Sequence, residues 1–249
     1  MSSTGTQIDA KTYLDHIKAD GTRIAEAAAG RLDDPVPSCP GNTVGSLLLH
    51  IGGVCMFWAD ALEQNRPPDM DWTIFPTDVL EAHSKMHSRF VDVIATRDPD
   101  DSTWTWAGAG TVRFWFRRAA QELAVHRWDV ESAVGDPASI DPTLAADGID
   151  EILTVFGPAM GEEDYPGASE RFGGDGETIR LEPADLPDAI TFTARPDRFE
   201  TDTAATPDVT VRGTASDLLL FMWGRVPPSK LEVSGDPSLL DRWQERVKI

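Results

Sequence analysis

The spacing of apolar residues changes once along this chain of 249 residues. Up to about residue 160 the apolar residues recur every three to four positions, which predicts amphipathic helices. After residue 176 they alternate with polar neighbours and are rich in β-branched types, which predicts strands. Residues 161–176 between the two patterns are crowded with glycine, proline and acidic residues. The sequence therefore predicts a helical domain at 1–160, a linker or surface loop at 161–176, and a small α+β domain at 177–249.

The helical domain is predicted to contain four main helices, at residues 8–29, 43–64, 77–95 and 110–134, and a fifth helical stretch at 142–160. Thr43 is a natural N-cap for the second helix. Gly52 and Gly53 lie inside that helix, where each costs roughly 1 kcal/mol relative to alanine. We therefore expect close packing there, or close approach by a ligand. Gly108 to Gly110 read only as a turn.

The second domain is predicted to contain strands at residues 178–181, 189–194, 208–212 and 231–233. Thr214, with Asp217 three positions later, has the capping-box pattern in its Asp form and predicts the start of an apolar helix at 218–223. A last helix is expected at 237–247. The fold class is therefore α+β, with a helix bundle first and a small mixed domain second.

The charge composition disfavours nucleic acid as a partner, because 22 basic and 42 acidic residues give a net charge of −20. The chain has only two cysteines, Cys39 and Cys55, and its first residues lack a secretory signal pattern, so we expect a cytoplasmic protein. No apolar run of about 18 residues predicts a membrane span. Walker, GxSxG, GxGxxG and CxxC motifs are missing from the sequence, so nucleotide-binding, classical hydrolase and zinc-ribbon interpretations lack support. We expect a monomer or a homodimer.

Glu122 and His126 are four residues apart on the fourth predicted helix, so both side chains can touch one ion. His50 lies on the mostly apolar second helix. If these helices are neighbours in a bundle, the three side chains converge. Two imidazoles and one carboxylate leave coordination positions open on a zinc-like ion, which is typical of catalytic sites. The alternative is an ordinary Glu–His pair on a solvated helix face.

The remaining histidines and cysteines are weaker candidates. His83 and His87 have the same four-residue separation, but their neighbours in sequence are polar, which predicts a solvated helix face. Cys55 lies about 140° around the helix from His50 and is predicted to be a core residue. Cys39, between Ser38 and Pro40, is expected to be partly exposed.

Three motifs resemble those of the mycothiol-dependent maleylpyruvate isomerase family. They are VPSCPG at 36–41 with LLHIGGV at 48–54, then ELAVHRWD at 122–129, and GTASDLLL at 213–220 followed by WGR at 223–225. The resemblance implies an N-terminal four-helix bundle similar to DinB proteins. It also implies a divalent metal, usually zinc, held by His50, Glu122 and His126.

The same resemblance implies that Arg225 contributes to the active site, where an arginine suits a substrate carboxylate or a developing enolate. A surface arginine after a helix is the alternative. Asp129 is expected to be a helix-surface acid, the alternative being an acceptor that orients a metal ligand.

The function implied is that of a metal-dependent enzyme with mycothiol as its thiol cosubstrate. The activated thiolate attacks a small electrophile similar to maleylpyruvate, and the enzyme is either an isomerase or an S-transferase. A non-catalytic DinB-like metal-binding module and a metal-dependent hydrolase using bound water are the alternatives.

Overall fold

The computed structural model describes residues 8–69, 77–135, 137–156, 174–196, 198–201 and 205–246. The chain divides into two compact units. One is Ile8–Ala138 and the other contains Ser139–Ile249.

The first unit is a bundle of four helices, α1 (Ala10–Ala28), α2 (Val44–Gln64), α3 (Val79–Ala95) and α4 (Arg113–Val134). Helix α1 packs along α4 and α2 packs along α3, while contacts between α1 and α3 and between α2 and α4 close the bundle. Its core is apolar and includes the fully buried residues Ile17, Ile24, Leu48, Ile51, Phe90, Ile94, Trp115 and Leu123. The predicted four-helix bundle is confirmed.

Charged side chains join α1 to α4 inside this unit. Arg127 Nε lies 2.9 Å from Asp20 Oδ1, and Arg127 Nη1 lies 2.6 Å from Glu131 Oε2. Arg23 contacts the other oxygen of Glu131 at 2.6 Å, and the backbone amide of Ala138 donates to Glu131 Oε2. Because Asp20, Arg127 and Glu131 are buried, each charge depends on its partners for stabilisation. We call Asp20, Arg23, Arg127 and Glu131 the charge clamp.

Helix α2 begins as predicted and packs closely on α3. Thr43 accepts a hydrogen bond from the amide of Ser46, and the Ser46 hydroxyl accepts one from the amide of Thr43, forming a capping box. A Cβ on Gly52 would lie 2.9 Å from Met86 Sδ and 3.5 Å from His83 Cα. The glycine at this position therefore allows close helix packing.

A short hairpin precedes α4 where the sequence predicted only a turn. Strands β1 (Ser102–Thr105) and β2 (Gly108–Thr111) pair antiparallel, and α4 begins after them. The amide of Trp104 donates to Asn65 Oδ1 at 2.7 Å, and the Trp115 indole donates to the carbonyl of Trp104 at 3.1 Å. These tertiary bonds stabilise four-residue strands that are too short to show a clear alternation in the sequence.

The second unit combines helices with a five-stranded sheet. Helix α5 (Pro142–Glu151) continues into a π-helical turn, Ile152–Phe156, and the sheet follows. Its strands are β3 (Thr178–Pro183), β4 (Ile190–Ala194), β5 (Phe199–Thr201), β6 (Val209–Gly213) and β7 (Glu232–Gly235), in the order β5-β4-β3-β6-β7. Among these described strands, β3 and β6 pair parallel and the other neighbours pair antiparallel. Helix α6 (Ala215–Met222) follows β6, a 3-10 turn (Pro228–Lys230) precedes β7, and α7 (Ser238–Arg246) follows it. The predicted α+β class is confirmed, although three-residue β5 was not foreseen.

The division between the units differs from the domain boundary predicted at residue 160. It falls between Ala138 and Ser139, because α5 packs against α6 within the second unit. The backbone amide of Ile140 also donates to Ser216 Oγ at 3.0 Å. The predicted loop at 161–176 lies outside the described residues except for 174–176.

Among the described residues, α2 alone is long and apolar enough to cross a membrane by length and composition. However, 56% of its most apolar window is buried inside the protein, as in the core helix of a bundle. More than half of this window is thus covered inside the protein, and α2 packs against α3 and α4.

Candidate metal centre

The structure brings His50, Glu122 and His126 together between α2 and α4. His50 Nε2 lies 3.2 Å from Glu122 Oε1, and His126 Nε2 lies 3.3 Å from the same oxygen. The three donor atoms all lie within 4.8 Å of one another. The predicted convergence is therefore observed, and metal binding by these residues stays a prediction.

The spacing of these donors fits a zinc-like ion. Zinc bonds of about 2.0–2.1 Å at tetrahedral angles separate neighbouring ligand atoms by about 3.3 Å. The two distances from Glu122 Oε1, 3.2 and 3.3 Å, agree with that value. Three protein donors leave at least one tetrahedral position for another ligand.

Arg118 holds the second oxygen of Glu122. Its Nη2 donates to Glu122 Oε2 at 3.0 Å from one helical turn earlier, and its side chain is buried. Burial would raise the pKa of Glu122, but His126, His50 and Arg118 together hold that pKa well below its ordinary value. The carboxylate is therefore ionised and directs only Oε1 towards the two imidazoles.

Asp129 holds the opposite side of the His126 ring. His126 Nδ1 donates to Asp129 Oδ2 at 2.8 Å, because an ionised carboxylate can only accept. Burial would lower the pKa of His126, but Glu122 and Asp129 outweigh it and raise that pKa to about 9 in the absence of a metal. With Nδ1 protonated, Nε2 is the nitrogen that faces Glu122 and His50.

Asp129 and Cys39 are both buried, so two expectations were wrong. Asp129 is fully buried and is not a helix-surface acid, and Cys39 is only 8% exposed. Cys39 Sγ lies 3.5 Å from Asp129 Oδ2. The reason is tertiary, because the loop between α1 and α2 carries Cys39 onto this face of α4.

His83 and His87 are also buried, although a solvated helix face was predicted for them. Their rings stack 6.1 Å apart at the interface of α3 with α1. His83 Nε2 lies 3.4 Å from the carbonyl of Gly21, and His87 Nε2 lies 3.0 Å from that of Ile17. Burial lowers the pKa of both imidazoles. The polar residues that suggested solvation lie on the other faces of α3.

Access to the site differs among its members. The His50 side chain is 50% exposed, whereas Glu122 is 21% and His126 only 12% exposed. A small molecule would therefore reach the site from the side of His50.

Cys55 is buried as predicted, and burial raises the pKa of its thiol.

Arg225 belongs to the second unit and is half-buried in the turn after α6. Gly224 has a φ of 76°, which lets the chain turn, and Arg225 Nη1 donates to the carbonyl of Trp223 at 2.8 Å. The role of Arg225 in catalysis stays a prediction.

Comparison with known families agrees with the three motifs. A family model described as the mycothiol maleylpyruvate isomerase N-terminal domain matches residues 14–131, and one described as the MDMPI C-terminal domain matches residues 143–242. The chain belongs to the mycothiol-dependent maleylpyruvate isomerase family. The residues matched by the N-terminal model include His50, Glu122 and His126, and those matched by the C-terminal model include Arg225. No curated protein matches the sequence.

Solved structures from this family share the fold. The crystal structure of the mycothiol-dependent maleylpyruvate isomerase is 12% identical, with a TM-score of 0.63, over 91% of this chain and 93% of that chain. A histidine-to-alanine mutant of that isomerase is 11% identical, with a TM-score of 0.62 and the same coverage. At this identity the likeness shows the family's fold and not its chemistry.

Sequence reasoning missed Arg118 and did not place Cys39 beside the site. Arg118 could have been found, because it precedes Glu122 by four residues on the same helix. No local pattern indicates the contact of Cys39 with Asp129, since the two residues are ninety positions apart in sequence.

Proposed function

We propose that this protein is a zinc-dependent isomerase that uses mycothiol to convert a small, maleylpyruvate-like electrophile. The observation that supports this most directly is the convergence of His50, Glu122 and His126 at ligand spacing in a chain of the isomerase family. The one-sided exposure at His50 suits a site that takes a thiol and a substrate from solution.

The three side chains would hold the ion through two imidazole nitrogens and one carboxylate oxygen. A zinc ion there would supply an open position at which a thiol loses its proton near neutral pH. Arg118 keeps Glu122 Oε2 engaged, so that the carboxylate uses one oxygen and does not occupy a further position.

The reaction proposed leaves the thiol unchanged. The thiolate adds to a cis double bond conjugated to a carbonyl, and the electron pair moves onto the carbonyl oxygen. The former double bond of the substrate is then a single bond, so the two halves of the substrate can rotate about it. Return of the electron pair expels the thiolate and leaves the trans product, so the thiol is not consumed.

We also propose that Arg225 binds a carboxylate of the substrate. A guanidinium can form two parallel hydrogen bonds with a carboxylate, which is the recognition that a maleylpyruvate-like molecule requires. The expected result for Arg225→Lys is a raised KM with a smaller effect on kcat, and for Arg225→Ala a larger loss of kcat/KM. Steady-state kinetics at saturating mycothiol measures both, and an unchanged KM in Arg225→Ala would contradict this role.

The proposal is tested by metal content and thiol-dependent turnover in the same preparations. Wild-type protein is expected to contain about one zinc per chain and to isomerise maleylpyruvate only when mycothiol is present. Glu122→Gln should lose both the metal and the activity, because a neutral amide is a poor zinc ligand. Glu131→Gln is the matched control, a buried carboxylate on the same helix that pairs with Arg127 and should retain zinc.

The possible outcomes separate the alternatives. Formation of a stable mycothiol adduct would indicate an S-transferase, and hydrolysis without thiol would indicate a hydrolase. Zinc binding without any of these reactions would indicate a metal-binding module. Retention of zinc in Glu122→Gln would refute the ligand assignment.

The cellular setting proposed is the cytoplasm, where low-molecular-weight thiols are kept reduced. A net charge of −20 disfavours nucleic acid and anionic membrane surfaces as partners. The partners proposed are therefore small molecules, the thiol and its electrophile. We propose that the protein acts as a monomer or a homodimer.

A further inference from the structure

Cys39 and Asp129 form a layer behind His126, on the side of the ring away from Glu122. The same carboxylate oxygen, Asp129 Oδ2, lies 2.8 Å from His126 Nδ1 and 3.5 Å from Cys39 Sγ. Because both neighbours are donors and the carboxylate is an acceptor, one oxygen can satisfy both contacts. The thiol of Cys39, the carboxylate of Asp129 and the imidazole of His126 therefore follow one another in a row that leads to the proposed metal position.

Burial makes this arrangement specific. Asp129 is fully buried and Cys39 nearly so, which limits the competition of water for the carboxylate. An imidazole whose Nδ1–H is held by a carboxylate has its ring plane and tautomer set, and its Nε2 is a stronger metal donor.

The loop that carries Cys39 is itself held by backbone hydrogen bonds. The amide of Cys39 donates to the carbonyl of Val36, and the amide of Asn42 donates to the carbonyl of Cys39, both at 3.0 Å. The amide of Val36 closes the loop by donating to the carbonyl of Asn42. The thiol is therefore presented to Asp129 by an ordered turn and not by a loose surface segment.

We propose that Asp129 and Cys39 are positioning residues for the metal centre, with Asp129 selecting Nε2 of His126 as the donor and Cys39 orienting Asp129. This inference rests on the proposed function for the presence of a metal at His50, Glu122 and His126. It adds that the loop between α1 and α2 contributes to metal affinity without touching the ion.

A rival arrangement uses the same atoms. Cys39, His126 and Asp129 offer ligand atoms within 4.8 Å of one another, so they could bind an ion directly. An ion there would need Nδ1 of His126 without its proton and a Cys39 thiolate. The hydrogen bond between His126 Nδ1 and Asp129 favours the positioning role.

The first test is zinc affinity, measured by competition with a chromophoric chelator in the full chain without mycothiol. Asp129→Ala is expected to bind zinc about 10- to 100-fold more weakly, as for other lost carboxylate partners of metal-bound histidine. Asp129→Asn keeps an acceptor without the charge, so its loss should be smaller. Cys39→Ala should weaken binding by about two- to fivefold, and Cys39→Ser, which restores a donor, should recover most of it.

Two matched controls separate positioning from general damage. Cys55→Ala removes the other buried thiol, and Glu131→Gln neutralises another buried carboxylate of α4. Both are expected to leave zinc affinity within twofold of wild type. Zinc affinity that is unchanged in both Asp129→Ala and Asp129→Asn would overturn the proposal, as would equal losses in the controls.

The second test is spectroscopic and does not depend on activity. Long-range proton–nitrogen correlation spectra of the zinc-loaded protein should show His126 protonated at Nδ1, and Asp129→Ala should weaken or remove that signal. In the cobalt-loaded protein, a thiolate-to-cobalt charge-transfer band that disappears in Cys39→Ala would establish the rival arrangement and overturn ours.

These readouts distinguish the failure of this inference from that of the proposed function. A wild-type protein that binds no zinc, cobalt or other divalent ion would refute the metal-dependent function and this inference with it. If wild-type protein binds zinc and Asp129→Ala binds it equally tightly, the positioning role alone is refuted.

Discussion

At the scale of single residues, Gly21 shows how one position in α1 accommodates a buried imidazole. A Cβ built on Gly21 would lie 2.1 Å from His87 Nε2, far inside contact distance. The ring of His87 occupies the space that a side chain would need, and it hydrogen-bonds to the carbonyl of Ile17. Glycine at position 21 and histidine at position 87 are therefore coupled.

We predict that Gly21→Ala destabilises the protein by about 1–3 kcal/mol, the usual cost of overpacking a core. The gain in helix propensity from alanine is smaller than that cost. Urea unfolding measures the difference. In the His87→Ala background the same substitution should cost much less, and equal costs in both backgrounds would contradict the coupling.

The convergence of His50, Glu122 and His126 could be predicted from sequence at this scale, whereas the burial of the residues behind them could not. The pairing of Glu122 with His126 depends only on helix geometry, which the sequence indicates. The burial of Asp129 depends on a loop that reaches α4 from elsewhere in the chain. The burial of His83 and His87 depends on Gly21, a residue of another helix, so their own polar neighbours misled the prediction.

At the scale of elements, the charge clamp determines how strongly α1 is attached to α4. Arg127 is the central member, since it contacts Asp20 and Glu131 and donates to the carbonyl of Ala138 at 2.8 Å. Removing it leaves two buried carboxylates without this partner.

We predict that Arg127→Leu destabilises the helical unit by about 3–5 kcal/mol, the range found when one partner of a buried ion pair is removed. Chemical unfolding of the metal-free protein is the measurement. Lys11→Ala, which breaks a solvent-exposed pair with Asp15 on α1, is the control and should leave the midpoint unchanged. Similar shifts for both variants would show that burial does not matter.

The interface of α1 with α3 should make stability depend on pH. Burial lowers the pKa values of His83 and His87 in the folded protein. As the pH falls, these imidazoles are therefore protonated at a higher pH in the unfolded chain than in the folded protein. Their contribution is present above pH 6.5 and is lost as the pH falls towards the lowered values. His126 has the opposite sign, because its raised pKa of about 9 gives a contribution that is present below pH 6.5 and lost towards pH 9.

We therefore predict that metal-free protein loses stability between pH 6.5 and 5, and that His83→Asn with His87→Asn makes this loss shallower. Urea midpoints at several pH values give the slopes. His16→Asn, which removes a partly exposed histidine of α1, is the control. A slope that is the same with and without the two buried imidazoles would contradict the prediction.

At the scale of the whole molecule, the division after Ala138 shows which segments fold together. The apolar pattern of α5 reads the same whichever unit it packs against, so the sequence alone could not assign it. Its packing against α6 assigns it to the second unit. The carbonyl and amide of Ala138 bind Arg127 and Glu131, so this residue completes the first unit.

We predict that a fragment ending at Ala138 is soluble and helical and binds zinc, whereas one ending at residue 160 aggregates. The longer fragment would expose the apolar face of α5, including Leu144 and Ile149, without α6 to cover it. Light scattering and circular dichroism compare the two fragments. Equal solubility would indicate that α5 finds a partner in the first unit.

The unequal exposure of the side chains in the candidate metal centre has a consequence for chemical labelling. Half of the His50 side chain is open to solvent, whereas that of His126 is only 12% exposed and His83 and His87 are buried. An acylating reagent such as diethyl pyrocarbonate should therefore modify His50 ahead of these three. Bound zinc should shield its nitrogen, so that the rate of acylation reports how much of the protein carries metal.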